Sequence, residues 1–292
     1  MRCDLHVHTI HSGMCTVPVL NRVCRESYSD PHEVYETLKQ RGMHAVTVTD
    51  HDSIDAAESL RRHPDFFLSE EITCRASSGT ELHIGVYGLN DRDHIELQRR
   101  RSDFPALLAC LRERSLLFSV NHAFSSLTGP RKEADFREFA QCFPAVETRN
   151  GQLTRTANLF AARFARRNGM VKLGGSDSHT LDGLGRTFTE VPGARTTSEF
   201  LAGLRAGWSR VYGESGSYWK LTNAVLDISF SMVRERPWTV MLVPLCAAVP
   251  LVTLGNVALE TAFAYKWGSR HAPKTRFGTA KGARPAESPI GA

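Results

Sequence analysis

Residues 1–9 read MRCDLHVHT, and two histidines one residue apart decide how the rest of the chain is read. The run from Cys3 to Thr9 has the character of a strand, in which residues i and i+2 face the same side, about 7 Å apart at the backbone. His6 and His8 therefore project together and can close on one metal ion. One His-x-His pair is weak evidence; what matters is whether other segments deliver matching ligands.

Six more apolar runs follow: HAVTVTDHD (44–52), DFFLSEEIT (65–73), ELHIGVYG (81–88), LLFSVNHAF (116–124), AVETRNG (145–151) and VKLGGSDSH (171–179). Helix-like stretches lie between most of them. DPHEVYETLKQRG (30–42) opens with an Asp cap before proline and closes at glycine. This alternation predicts a β/α barrel or an open α/β sheet. His51, Glu71, His83, His122, Glu147, Asp177 and His179 all fall within or just after an apolar run. Strand ends of a parallel barrel converge on one face, so the histidines and carboxylates are expected around a single mouth. His83 lies early in its run, which suits a hairpin with the preceding strand.

Imidazole and carboxylate ligands without thiolate suit zinc, manganese or iron without choosing among them. A two-metal hydrolytic site needs a bridging carboxylate, for which Glu71 and Asp177 are the candidates. Glu70 and Glu71 face opposite sides of a strand.

DLHVHT, TDHDS, SEEIT, LHIGVYG, VNHAF and GSDSH, taken in order, resemble the PHP (polymerase and histidinol phosphatase) family of metal-dependent phosphoesterases over about residues 1–213. The resemblance implies a distorted seven-stranded β/α, TIM-like barrel. It implies that His6, His8, Glu71 and Asp177 hold one divalent metal and that Glu71, His83 and His122 hold a second. The family pattern, with the ligand directly before an aliphatic residue, selects Glu71 over Glu70. His51 and His179 match positions that help hold a third ion in three-metal members. Where the family has Asp or His after its first motif, HTIHSGMC (8–15) has Gly13 and Met14. His11 as a substitute ligand, and His51 or His179 as a phosphate contact or proton donor, are the readings left open. Cys15 is a weaker candidate, because hard phosphate chemistry seldom recruits a thiolate.

The implied activity is hydrolysis of a phosphate ester of a small molecule or nucleotide by metal-activated water, with His179 or His51 protonating the leaving group. Arg149 and Arg186 follow the sixth and seventh runs and are candidate phosphate clamps. Glu147, Asp50 and Asp52 suit orienting roles. The alternatives are a nuclease acting on oligonucleotide ends and a non-catalytic, membrane-tethered metal scaffold. A net charge of +5 with scattered arginines gives no strong nucleic-acid signal.

Seven dispersed cysteines without a C-x-x-C pair suit a reducing compartment, and Asp4 with the early histidines stands where a signal peptide needs apolar residues. The expected location is cytoplasmic. After residue 213 the character changes. A Gly/Ser-rich stretch (213–220) precedes a helix with Leu221, Ala224, Val225, Ile228 and Met232 on one face, and residues 237–259 carry no charge. That length suffices to cross a bilayer, and Trp238, Tyr265 and Trp267 resemble interfacial anchors, while Pro244 and Pro250 oppose a straight helix. The expected division is a catalytic unit (1–213), a helical appendage associated with the cytoplasmic face of a membrane or buried as a hairpin (214–267), and a disordered tail (268–292).

Overall fold

Local signals start the helices where the sequence places them. The Asp30 carboxylate accepts from the His32 and Glu33 amides ahead of Pro31, Asp103 caps Ala106 and Thr154 caps Ala157. The computed structural model describes residues 1–272. Its elements are β1 (Arg2–Cys3), α1 (Pro31–Gln40), α2 (Ala57–Leu60), β2 (Ser69–Arg75), β3 (Glu81–Tyr87), α3 (Asp91–Arg100), α4 (Phe104–Glu113), β4 (Leu117–Val120), α5 (Glu133–Cys142), β5 (Ala145–Asn150), α6 (Arg155–Asn168), β6 (Val171–Gly175), β7 (Thr187–Glu190), α7 (Thr197–Arg205), β8 (Arg210–Gly213), α8 (Tyr218–Glu235) and α9 (Val249–His271). A 3-10 helix spans Pro237–Ala248.

The seven-stranded barrel expected from the sequence is not formed. Among the described residues the strands make a five-stranded mixed sheet, ordered β2-β3-β4-β5-β6, and a separate three-stranded sheet, β1-β7-β8. β2, β3 and β4 run antiparallel in turn, and only β4-β5-β6 are parallel. Two causes are visible. A short turn (76–80) joins β2 to β3, too brief for the crossover that parallel neighbours require. In the first two runs, side chains intercept the backbone donors that a ladder would use. Thr49 Oγ1 takes the Val7 amide, Asp50 Oδ1 the Thr9 amide, and Asp4 Oδ1 the Ser176 amide. Beyond β1, those runs join their neighbours through isolated bridges, Val7 with Ser178, Val46 with Phe66 and His51 with Glu71.

Strand alternation sorts the two faces of the large sheet. Ile72, Leu82, Ile84 and Val86 are fully buried in the core shared with α4, α5 and α6, each worth about 1.5–3 kcal/mol of apolar burial. The opposite phase, Glu71 and His83, points to the polar side. Glu70 shares the phase of Ile72 and bonds His94 Nδ1 at 2.7 Å, away from Glu71.

The appendage packs on this body at several points. Glu235, at the end of α8, pairs with Arg25 at 2.7 Å. α9 returns to α6, where Gly268 lies so close to the Phe160 ring that a Cβ would collide with it. Trp267 stacks on Phe136 with centroids 5.3 Å apart. The helix continues through His271. Residues 273–292, most of the expected tail, lie outside the described residues.

Candidate metal centre

Strand β2 supplies Glu71, and the segments after β1, β4 and β6 supply His6, His8, His122 and Asp177, to one buried pocket. Gly175, ending β6, makes the convergence possible, since a Cβ there would overlap His6. Next to it, the Asp177 amide donates to the His6 carbonyl at 2.7 Å and the His8 amide to the Ser178 carbonyl at 3.1 Å. His122 and Asp177 both adopt left-handed backbone, φ 51° and 52°. Such strain costs about 1–3 kcal/mol per residue and persists where the surroundings impose it.

The innermost donor atoms are spaced like the corners of a coordination polyhedron. His6 Nε2 lies 3.0 Å from His8 Nε2, 3.1 Å from Glu71 Oε2 and 3.4 Å from Asp177 Oδ1. His8 Nε2 lies 3.5 Å from Glu71 Oε2 and 3.3 Å from Asp177 Oδ1. A tetrahedron with metal–ligand distances of about 2.0–2.1 Å has edges of about 3.4 Å. Glu71 turns its other oxygen to a looser set, 3.7 Å from His83 Nδ1 and 4.0 Å from His122 Nε2. His122 Nε2 also stands 3.2 Å from Asp177 Oδ2. The groups His6/His8/Asp177 and Glu71/His83/His122 each bring their ligating atoms within 4.8 Å of one another.

Partners outside the pocket fix these ligands. Glu147 holds His6 Nδ1 at 2.7 Å, and Ser12 Oγ lies 2.9 Å from His8 Nδ1 while donating to Asp50 at 2.6 Å. Asn121 donates to Glu71 at 2.8 Å and Asn150 to Asp177 at 2.8 Å. Both imidazoles of the His-x-His pair are thereby turned so that Nε2 faces inward. Asp52 lies outside, receiving the Thr73 amide and pairing with Arg101.

Electrostatics agree with a cation site. Burial, reinforced by the charges of His179 and His51, lowers the pKa of His8 to about 3, and burial alone does most of the same to His83, at about 3. Both rings are thus neutral lone-pair donors. Burial opposes ionisation of Glu71, yet the surrounding imidazoles outweigh it and hold its carboxyl well below the usual range. Burial also opposes protonation of His6, but Asp177, Glu71 and Glu147 raise its pKa. Buried nitrogens of His51, His83, His122 and His179 lack hydrogen-bond partners, an expensive arrangement unless an electrophile completes it. The residues present fit divalent metal.

At the rim, the structure brings in a residue missed in the sequence. Glu26 lies 3.6 Å from His51 Nε2 and 3.4 Å from His179 Nε2, in the place where His11 was a candidate. The loop carrying it folds back through a Met14–Arg25 bridge, and the Glu26 amide donates to the Gly13 carbonyl at 3.0 Å. A lone glutamate in CRESY, outside any strand or periodic segment, gave no signal. His179 also lines a cavity of about 440 Å³ shared with Asp227, Ser231 and Arg234 of α8. Arg186 bonds the carboxylate and carbonyl of Asp182, and Arg149 bonds the Gly213 carbonyl and lines a different cavity with Arg155, Lys172 and Arg210.

Fold and pocket together define an α/β protein with a buried His/Asp/Glu cluster able to hold divalent metal. Residues 155–208 match the family model PHP_C, described as PHP-associated. No curated protein sequence matches it. Among solved structures, the chain is similar to PsfC from Pseudomonas syringae, with 16% identity, TM-score 0.54, and coverage of 79% of this chain and 97% of that one. It is also similar to a candidate metal-dependent phosphoesterase from Bifidobacterium adolescentis (13% identity, 70% and 96% covered, TM-score 0.46). A third is the lesion-specific endonuclease EndoQ from Pyrococcus furiosus (17% identity, 72% and 58% covered, TM-score 0.48). At 16% identity the likeness to PsfC is one of fold.

Proposed function

We propose that the chain is a metal-dependent phosphoesterase acting on a phosphorylated small molecule or nucleotide. The observation that carries this reading is the inner polyhedron of His6, His8, Glu71 and Asp177 beside the looser Glu71/His83/His122 set. In this reading the first four residues hold one divalent ion and the latter three a second, with Glu71 shared. His51, His179 and Glu26 form the outer position. Divalent ions so held supply Lewis acidity toward a phosphoryl oxygen and a water nucleophile competent at neutral pH.

The chain's own groups do the rest. Glu147, Ser12, Asn121 and Asn150 keep the ligands aimed, so no reorganisation is needed when substrate enters. In this reading His179, which lines the 440 Å³ cavity, gives a proton to the leaving oxygen. His51, Glu26 and His179 are partly open, with side chains 15%, 23% and 20% exposed, which leaves room for a ligand at the rim and favours catalysis over a closed structural site.

Elemental analysis of the purified protein, followed by a screen of phosphomonoesters, nucleotides and oligonucleotides, tests the reading. About two or three equivalents of transition metal and release of phosphate from a small ester are expected. Metal-replete protein active only on oligonucleotides would move the function to a nuclease. Protein inert toward every ester would leave a scaffold.

A further inference from the structure

The appendage presents an apolar face that the rest of the described chain leaves uncovered. Residues 237–259 carry no charge. Only 6% of the most apolar window in Pro237–His271 is buried, which separates it from the core helix of a soluble protein. Met241, Leu251 and Leu259 are 79%, 73% and 70% exposed, and Trp238 and Tyr265 stand half-exposed near its two ends. Val17 and Val19, from the same loop that carries Glu26, are exposed too. Val17 and Leu20 line an apolar groove of about 330 Å³ with Met232, Leu242 and Val249.

Length alone permits this segment to cross a bilayer, but its attachments oppose that. On one side Glu235 pairs with Arg25 and the Arg236 guanidinium donates to the Arg22 carbonyl at 3.1 Å. On the other, Glu260 accepts from Ser125 Oγ at 2.6 Å and the Ser126 amide at 3.1 Å, and Gly268 abuts Phe160. The chain leaves the α/β body and returns to it, with the apolar stretch between two anchored ends. Pulling α9 free would strand the Glu260 carboxylate, expose Trp267 and Ala264 and undo the contact with α6. A segment held in this way lies along an interface.

Charge and aromatic placement select the occupant. Arg22, Arg234 and Arg236 lie on one margin and Lys266 and Arg270 on the other, while the centre has none. Amphipathic rings and cations bordering an uncharged strip match an anionic lipid surface. We propose that the uncharged part of the appendage, with the tip of the loop at Val17–Leu20, docks the protein on an anionic bilayer as a monotopic element. The described residues flanking the strip, up to 236 and from 260 to 272, then stay on one side. The docked loop is the one that brings Glu26 to the rim of the metal centre, so the mouth is held close to the lipid. The docking itself does not depend on the hydrolase reading.

Full-length protein is sedimented with vesicles of phosphatidylcholine and phosphatidylserine, and with phosphatidylcholine alone. Sedimentation with the anionic vesicles is expected. A Met241→Asp, Leu251→Asp variant, altered only at exposed positions and checked for unchanged circular dichroism, should bind about tenfold or more weakly. A tag placed after residue 292 should remain open to protease added outside intact vesicles. Failure to sediment, or binding indifferent to the two aspartates, overturns the proposal. Binding with a protected tag overturns the monotopic arrangement in favour of a crossing. Self-association lost in the same variant, without vesicle binding, assigns the face to a second copy.

Discussion

Two parts of one pocket are built in opposite ways. The inner residues, His6, His8, Glu71 and Asp177, come from core segments and are at most a few per cent exposed, each held by a partner behind it. The outer set takes Glu26 from a long excursion between the first run and α1, and its side chains are 15–23% exposed. Ligands supplied by the core are fixed by folding itself. Those supplied by a loop are free to vary, and that is where substrate choice is ordinarily set.

The most severe way to break the comparison is to remove the residue that both metal sets share. Glu71→Gln keeps the shape and withdraws the charge. It should reduce bound metal to less than one equivalent and hydrolysis by about three orders of magnitude or more, with unchanged circular dichroism. Elemental analysis and phosphate release on the same sample check it. Full metal content in that variant would remove Glu71 from the centre.

A smaller effect is expected from the support behind the inner set. Glu147 touches the pocket through His6 Nδ1, at 2.7 Å, and through the His122 amide, at 3.3 Å, and also accepts from Asn150 at 3.0 Å. Glu147→Gln should weaken metal binding by about 10–100-fold while leaving saturated stoichiometry intact. Competition with a graded chelator reads this directly. Loss of stoichiometry instead would make Glu147 a ligand.

These residues differ in how far the sequence announced them. His6, His8, His51, Glu71, His83, His122, Asp177 and His179 stood out because each falls within or just after an apolar run and their order resembles the PHP motifs, and the structure gathers the histidines around Glu71 and Asp177. The phase of Glu70 against Glu71 followed from the period of two. Barrel closure was not legible, because it depends on whether Thr49, Asp4 and Asp50 leave backbone donors to a ladder or take them, and they take them. β7 and β8, four residues each, were too short to stand out. Glu26 was invisible because loop return is set by a single Met14–Arg25 bridge rather than by any periodic signal.

The outer set can be weakened without disturbing the inner one. Glu26→Gln withdraws the charge facing His51 and His179 while the Glu71-centred distances stay as they are. Hydrolysis should fall about tenfold with the tightly held metal unchanged, since an exposed, loop-borne group contributes less than a buried one. Comparing kcat with KM, alongside chelator-resistant metal, separates this from damage to the inner set. A loss equal to that of Glu71→Gln would erase the distinction between the two halves.

The smallest effect lies in the loop itself. Val19 has φ 74° and ψ −48°, a conformation that a β-branched residue adopts at a cost of about 1–3 kcal/mol, and its side chain is 80% exposed, so little burial offsets that cost. Glycine takes the conformation freely and loses about 0.5–1 kcal/mol in chain entropy. Val19→Gly should therefore stabilise the fold by about 1 kcal/mol and raise Tm by about 2 °C. A thermal melt beside the parent protein measures it, and a lowered Tm would mean that the loop carries no strain. The core has no counterpart to this gain. At His122 and Asp177 the same left-handed backbone carries side chains of the metal pocket, so glycine there would relieve the strain and empty the place of a ligand.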